Sequence, residues 1–203
     1  MLFHSCPVDK RDRYVVPAGP WIVTTKMYGF RCEVYSCHLY TRSGRRFVNR
    51  NIEAHLSDLI GLSKSLLLSF DCELYCPSLT FPELQSVLQS RSADIPADLK
   101  AYVFDSLTLS EFYMNNRTAP YAKRLARAKQ IIDQYHPAHV VCIDHQPADS
   151  PRDVRAMFRH ITRHGGEGIV ARRPDSPHRH AYLPVDVAFK MRLTSIPECP
   201  PVP

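Results

Sequence analysis

Lys26 lies within Thr24-Thr25-Lys26-Met27-Tyr28-Gly29-Phe30-Arg31, between two β-prone apolar runs, Trp21-Ile22-Val23 and Cys32-Glu33-Val34-Tyr35. Three residues on, a glycine lets the backbone turn, and a fixed cation follows two beyond it. Such a lysine suits attack on phosphorus, because an amine that has shed its proton is a nucleophile. A lysine starts with a pKa of about 10.4, so neighbouring cations or desolvation must lower it. Taken alone, Lys26 also reads as a solvated lysine on a strand edge.

Other positions fall into an ordered set with it. Arg42-Ser43-Gly44 is a basic turn after a strand, Asp71-Cys72-Glu73 puts acids on a buried strand, and Phe104-Asp105 sets an aromatic at a strand end. Glu167-Gly168-Ile169-Val170 opens a strand with an acid just after a double glycine, and Phe189-Lys190-Met191-Arg192 places two cations on one strand face. Phosphoryl or nucleotidyl transfer fits these types. Lys190 and Arg192 would favour the neutral form of Lys26 and neutralise a phosphate. Glu73 and Glu167 could hold a divalent metal or a ribose hydroxyl. Phe104 could stack on a base, worth about 1–3 kcal/mol. Each has a plainer alternative: paired structural acids, a core aromatic, a solvated strand face. His160 and His164 share a helix at metal-binding spacing, but Ile161 stands where a metalloprotease helix has Glu, which leaves solvated or capping histidines. His178-Arg179-His180 reads as a loop.

The elements that must position these residues alternate irregularly. Residues 21–50 read as a meander of Trp21–Thr25, Phe30–Ser36, His38–Thr41 and Phe47–Asn49, with a turn at 42–45. Helical spacing follows over 51–65, then a buried strand over 66–75, a short helix over 83–91 and a strand over 100–107. A helix is expected over 119–135 and a strand over 140–143. Ser150, Pro151 and Asp153 open a helix that Gly165-Gly166 closes. Two last strands are expected at 167–172 and 185–191. Residues 1–20 read as an irregular lead-in and 194–203 as a proline-rich coil tail, leaving one α+β domain over 1–193 rich in antiparallel sheet.

A chain of 203 residues with 44% hydrophobic residues can bury a real core. Its net charge of +6, mostly arginine, favours phosphate-rich partners without requiring them. Charges at Asp9-Lys10-Arg11 interrupt the start before any signal-like apolar core, and no run approaches the ~18 residues of a membrane span. The seven cysteines include no CxxC pair, so neither zinc nor a disulfide framework is indicated and a cytoplasmic setting is expected.

In order and separation, these motifs resemble the covalent nucleotidyltransferase superfamily of ATP-dependent DNA ligases, RNA ligases and mRNA capping enzymes. Lys26 to Arg31 is similar to the KxDGxR nucleotide-attachment motif, Arg42-Ser43-Gly44 to SRxG, and Asp71-Cys72-Glu73-Leu74 to DGEL. Phe104-Asp105-Ser106-Leu107 is similar to FDxL, Glu167 to Val170 to EGxV, and Lys190-Met191-Arg192 to KxK. The resemblance runs over about residues 20–193 and is nearest to the adenylation domain of small viral or phage DNA ligases, where a threonine likewise stands two before the lysine, as Thr24 does.

That resemblance implies an ATP-grasp-like nucleotidyltransferase domain of antiparallel sheets flanked by helices, using ATP with Mg2+ or Mn2+. Lys26 would become lysyl-AMP, AMP would pass to a 5′-phosphate at a nick, and a 3′-hydroxyl would displace it. Thr24 would belong to the nucleotide site, Arg31 and Arg42 would contact ribose or the nick phosphate, and Glu73 would hold ribose or metal. Phe104 would stack on adenine, Glu167 would bind metal, and Lys190 and Arg192 would grip the α-phosphate. The implied partner is a nicked duplex, DNA ahead of RNA, in the cytoplasm or a host's cytoplasm. Tyr28 replaces the motif's Asp, Cys72 its glycine and Arg192 its second lysine. The sequence runs eleven residues past Arg192, from which no C-terminal OB-fold is expected and a protein partner could supply the missing clamp. A non-catalytic binding module on the same fold is the alternative; RNA ligase and capping guanylyltransferase are further ones.

Overall fold

The structure, a computed structural model, describes residues 2–8, 14–114, 118–179 and 182–193. In chain order these form β1 (Leu2–Ser5), β2 (Trp21–Thr25), β3 (Phe30–Tyr35), β4 (His38–Thr41), α1 (Asn51–His55), α2 (Ser57–Ser65), β5 (Leu68–Tyr75) and α3 (Phe81–Gln89). Then come β6 (Lys100–Thr108), α4 (Leu109–Tyr113), α5 (Tyr121–Tyr135), β7 (Val140–Cys142), β8 (His145–Ala148), α6 (Pro151–Arg163), β9 (Gly168–Arg172), β10 (Tyr182–Leu183) and β11 (Ala188–Arg192). The fold is mixed α and β, with two sheets in which antiparallel pairing dominates and helices flanking them. No described helix is long and apolar enough to cross a membrane.

The residues cluster into two compact units. The first takes described residues within Met1–Met27, Arg117–Lys123 and Asp144–Val202; the second, those within Tyr28–Asn116 and Arg124–Ile143. In the first unit the sheet order is β10-β1-β11-β9-β2-β8, with β1 parallel to both neighbours. One face of this sheet buries Trp21, Val23, Ile169, Ala171, Phe189 and Met191 against Val154, Met157, Phe158 and Ile161 of α6. Trp21 and Phe189 meet edge to face at 4.8 Å, and the indole donates to Pro17 O at 3.1 Å. Helix α6 starts where the sequence places it: Ser150 Oγ accepts from Asp153 N, and the Asp153 carboxylate accepts from Ser150 N.

The second unit has sheet order β4-β3-β5-β6-β7, of which only β6–β7 is parallel. Side chains alternate along a strand, so Cys32, Val34, Phe70, Cys72 and Leu74 enter a core with Ile52, Leu59, Leu84, Leu88 and Ile132 from the helices. Arg31, Glu33, Asp71 and Glu73 occupy the alternate positions. Cys72, standing where the motif has glycine, fills core volume; the Cys32 thiol and complete burial hold its own thiol well above the ordinary pKa.

Several expectations need correction. Residues 2–5, read as lead-in, form β1. Phe47–Asn49 is not a strand: after one bridge, Tyr40 to Arg46, the Asn49 amide donates to Val87 O and Ala93 O at 2.9 Å each and draws the chain toward α3. The helical stretch breaks at Leu56 into α1 and α2, and Leu67, at φ 54, turns the chain so that β5 begins at Leu68. Helix α3 begins at Phe81, because Thr80 and Glu83 form a capping box with Pro82 in the first turn. The last strand is Ala188–Arg192, shifted toward the C-terminus. The expected tail, 194–203, lies outside the described residues.

Candidate functional site

In the first unit, Lys26 follows directly on β2. Its backbone N–H donates to Gly168 O at 2.9 Å, and its Nζ lies 2.5 Å from Glu167 Oε2. The Glu167 side chain is 7% exposed and that of Lys26 20%, so the lysine is the more open of the pair. Gly168 lets β11 lie close beside β9: at φ +156, a Cβ there would lie 2.0 Å from Met191 O. Pairing across β2, β9 and β11 sets Thr24, Val170 and Lys190 in one row, with Arg192 opposite Gly168. Because Phe189 and Met191 enter the core, Lys190 and Arg192 share the opposite face, as the sequence implies. Thr24, Lys26, Glu167, Lys190 and Arg192 thus converge at one end of one sheet. Thr24 is buried, and its hydroxyl donates to Val170 O at 3.4 Å.

Tyr14 belongs to this group and was not legible in the sequence, since it lies in the stretch read as irregular. Its hydroxyl donates to Arg192 O and accepts from Arg192 N at 3.2 Å, while its ring packs on Phe158 at 5.4 Å. Tyr14 thereby holds the backbone that carries Arg192.

In the second unit, Arg31, Glu33, Asp71, Glu73 and Phe104 gather on the sheet face away from the core. Arg31 makes a fork to Asp71, through Nε to Oδ1 at 2.7 Å and Nη2 to Oδ2, and reaches Glu33 at 3.1 Å. Burial works against its charge, yet Asp71, helped by Glu33 and Glu73, more than offsets this and holds the guanidinium above its ordinary range. Arg31 is therefore engaged by acids in this structure. Phe104 lies inside β6 rather than at its end. The β5–β6 register passes from Asp71↔Asp105 to Cys72↔Val103, making Phe104 the extra residue of a bulge, a device that re-aims a side chain. Its ring centroid is 6.0 Å from the Arg31 guanidinium carbon.

The bulge is pinned from below. Asp105 Oδ1 accepts from Ser106 N at 2.9 Å and from Arg124 Nε at 2.7 Å, and Arg124 Nη2 donates to Oδ2 at 3.0 Å. Ser106 Oγ closes the loop on Arg124 O at 2.8 Å. This pair is fully buried, with 0% and 1% of the side chains exposed. Neither residue's spacing announces the other. Arg42 sits on the exposed turn in which Thr41 N donates to Arg45 O at 2.7 Å. Tyr28 is 49% exposed and leans on Phe81 at 4.8 Å, which stacks on Phe30 at 4.6 Å. Gly29 lies hard against β5, where an added Cβ would meet Leu74 O at 2.2 Å.

A family profile described as the ATP dependent DNA ligase domain matches residues 3–183. This chain belongs to that family. A probable DNA ligase of Dictyoglomus turgidum is 23% identical over 186 residues, 85% of this chain and 31% of the relative. This family member thus spans about a third of that relative's length. Among solved structures, the Chlorella virus DNA ligase-adenylate superposes with a TM-score of 0.73 at 18% identity, covering 94% of this chain and 67% of that one. The ATP-dependent DNA ligase of bacteriophage T7, in complex with ATP, gives 0.63 at 12% identity over 86% of this chain and 62% of that one. Both show a shared fold.

Among the described residues of this ligase-family chain, no cluster of three or more His, Cys, Asp or Glu side chains could cage a metal. Glu167 in the first unit and Glu73 in the second, each named as a metal candidate by its motif, fit instead an ion that keeps its waters and shares phosphate oxygens, as Mg2+ does. The Glu167 oxygen that bonds Lys26, Oε2, would take such an ion only by releasing the amine.

Proposed function

We propose that this chain transfers AMP from ATP to Lys26 and passes it on to a nicked polynucleotide, DNA ahead of RNA. The observation that carries this reading is Lys26, fixed to Gly168 through its backbone and to Glu167 through its amine, in a chain of the ATP dependent DNA ligase family. Lys26 first gives one ammonium proton to Glu167 Oε2 or to water; the neutral Nζ then attacks the α-phosphorus, the N–P bond forming as the bond to pyrophosphate breaks, and the nitrogen's second proton passes to water to leave the phosphoramidate. Lys190 and Arg192, on the same sheet face, take the charge of the α-phosphate. By the motifs they match, Phe104 would stack on adenine, Glu73 would receive ribose and Arg42 would serve the nick phosphate. When bound, a divalent Mg2+ or Mn2+ ion supplies charge neutralisation at the phosphates.

Incubation with α-labelled ATP and magnesium, then denaturation, tests the first step. Expected is label that survives denaturation, is absent with γ-labelled ATP and disappears in Lys26→Ala. Nicked DNA and nicked RNA duplexes then separate the substrates, and label from GTP alone would redirect the reading to capping. Tyr28 favours one second reading, a binding module without catalysis, because a phenol is neutral where the motif's Asp carries charge. Folded protein that takes no label would rule out autonomous catalysis, and binding of nucleotide or nucleic acid by that protein would then support the second reading.

A further inference from the structure

Helix α6 carries more positive charge than the candidate site or the helix itself explains. Arg152, Arg155, Arg159 and Arg163 recur at spacings of three, four and four. At 100° per residue they fall within an arc of roughly 80°, opposite the buried face of Val154, Phe158 and Ile161, and extend over about 16 Å. Arg152, Arg159 and Arg163 are exposed and Arg155 is half-buried. Among the described residues, none of the four makes an ion pair or a side-chain hydrogen bond. Asp153, the helix's own acid, is occupied by the Ser150 cap. His160 and His164 flank the stripe, their rings 4.5 Å apart.

Helix stability does not account for this. A cation in the last turn, such as Arg163, is favoured by the helix dipole, but Arg152 in the first turn is disfavoured by it. Four like charges on one face repel one another. The missing counter-charge points outward. We propose that the α6 stripe is a contact for the phosphodiester backbone of a nucleic-acid duplex, distinct from the residues that handle the nucleotide. Guanidinium groups match phosphate oxygens in paired hydrogen bonds. About 16 Å of duplex axis offers roughly five phosphates per strand, enough for every arginine of the stripe. A lipid surface fits less well, since the apolar face that would enter it is packed in the core. An acidic protein fits less well too, since the exposed face carries no aromatic anchor. This inference rests on the nucleic-acid reading above and adds a second surface to it.

The test is equilibrium binding of the whole chain to a short, sealed DNA duplex across a salt series, without ATP. The triple variant Arg152→Gln, Arg159→Gln, Arg163→Gln is compared with wild type and with the matching triple lysine variant. Losing three phosphate contacts should flatten the slope of log K against log salt by about 2 to 3 and weaken low-salt binding at least tenfold, while the lysine variant keeps the wild-type slope. Unchanged helical signal and melting would certify the fold of the exposed-residue variants. Equal slopes for wild type and the glutamine variant would overturn the proposal, as would wild type that binds phosphatidylserine vesicles but no duplex. In parallel, α-labelled ATP should label the glutamine variant as fully as wild type; loss in that variant alone would refute a separate surface. Absence of label from every protein would count against the proposed function and leave the duplex slopes to judge the stripe.

Discussion

In the proposed transfer, Lys26 Nζ and Glu167 Oε2, 2.5 Å apart, would set the starting state. The carboxylate that pairs with the amine would then also accept the proton it must lose. Lys26→Arg keeps the charge but supplies no usable nucleophile, so it should abolish labelling as completely as Lys26→Ala. Glu167→Gln should keep the fold and slow labelling about 10²–10⁴-fold, the range for a lost proton acceptor; the rate of label uptake in single turnover checks this. Gly29 is constrained in a different way. Its backbone lies against β5, so Gly29→Ala should cost about 1–3 kcal/mol in urea unfolding, because the obstructing atom, Leu74 O, belongs to a central strand. The candidate motif residues could be named from the sequence, since their types and order are local. Their partners could not. Arg31 meets Asp71 only through the β3–β5 register, and Tyr14 reaches Arg192 across 178 positions of sequence.

Among the elements, β6 shows how a buried charge pair supports an aromatic. Arg124 and Asp105 are sealed from water, so Arg124→Met would strand a carboxylate and should cost about 3–5 kcal/mol, whereas adding Asp105→Leu should restore much of it. Urea unfolding of the single and double variants measures both. Helix α4 gives a pH test. Burial opposes ionisation of Glu111, but Arg127 and the Thr108 cap more than offset it and hold the carboxyl below its ordinary value. A group lowered in the folded state adds stability that is complete above its unfolded pKa and lost as pH falls through the folded one. Glu111→Gln should therefore destabilise the chain at neutral pH and matter little once the carboxyl is protonated, which melting at two pH values reads directly. Thr108 and Glu111 carried a legible capping signal, yet α4 is only five residues long and lacks periodicity. Strand β8 escaped because Pro147 argues against a strand; β8 is an edge of its sheet, where proline is tolerated. Phe104 was legible as a stacking candidate, while its bulge arises from pairing that sequence spacing does not encode.

At the scale of the whole chain, each of the two sheets has its own core. The first unit holds Lys26, Glu167, Lys190 and Arg192; the second holds the bulged Phe104 and the Arg31–Asp71–Glu73 face. Both belong to a chain whose family profile is that of ATP-dependent DNA ligases. The most direct measurement is to locate the bond itself. After incubation with ATP and magnesium, the protein is digested and its peptides are mapped by mass. Expected is one AMP on the peptide bearing Lys26, stable to base, released by acid as a phosphoramidate would be, and absent from Glu167→Gln at short times. AMP on another residue, or folded protein with none, would contradict the assignment of Lys26 as the nucleophile.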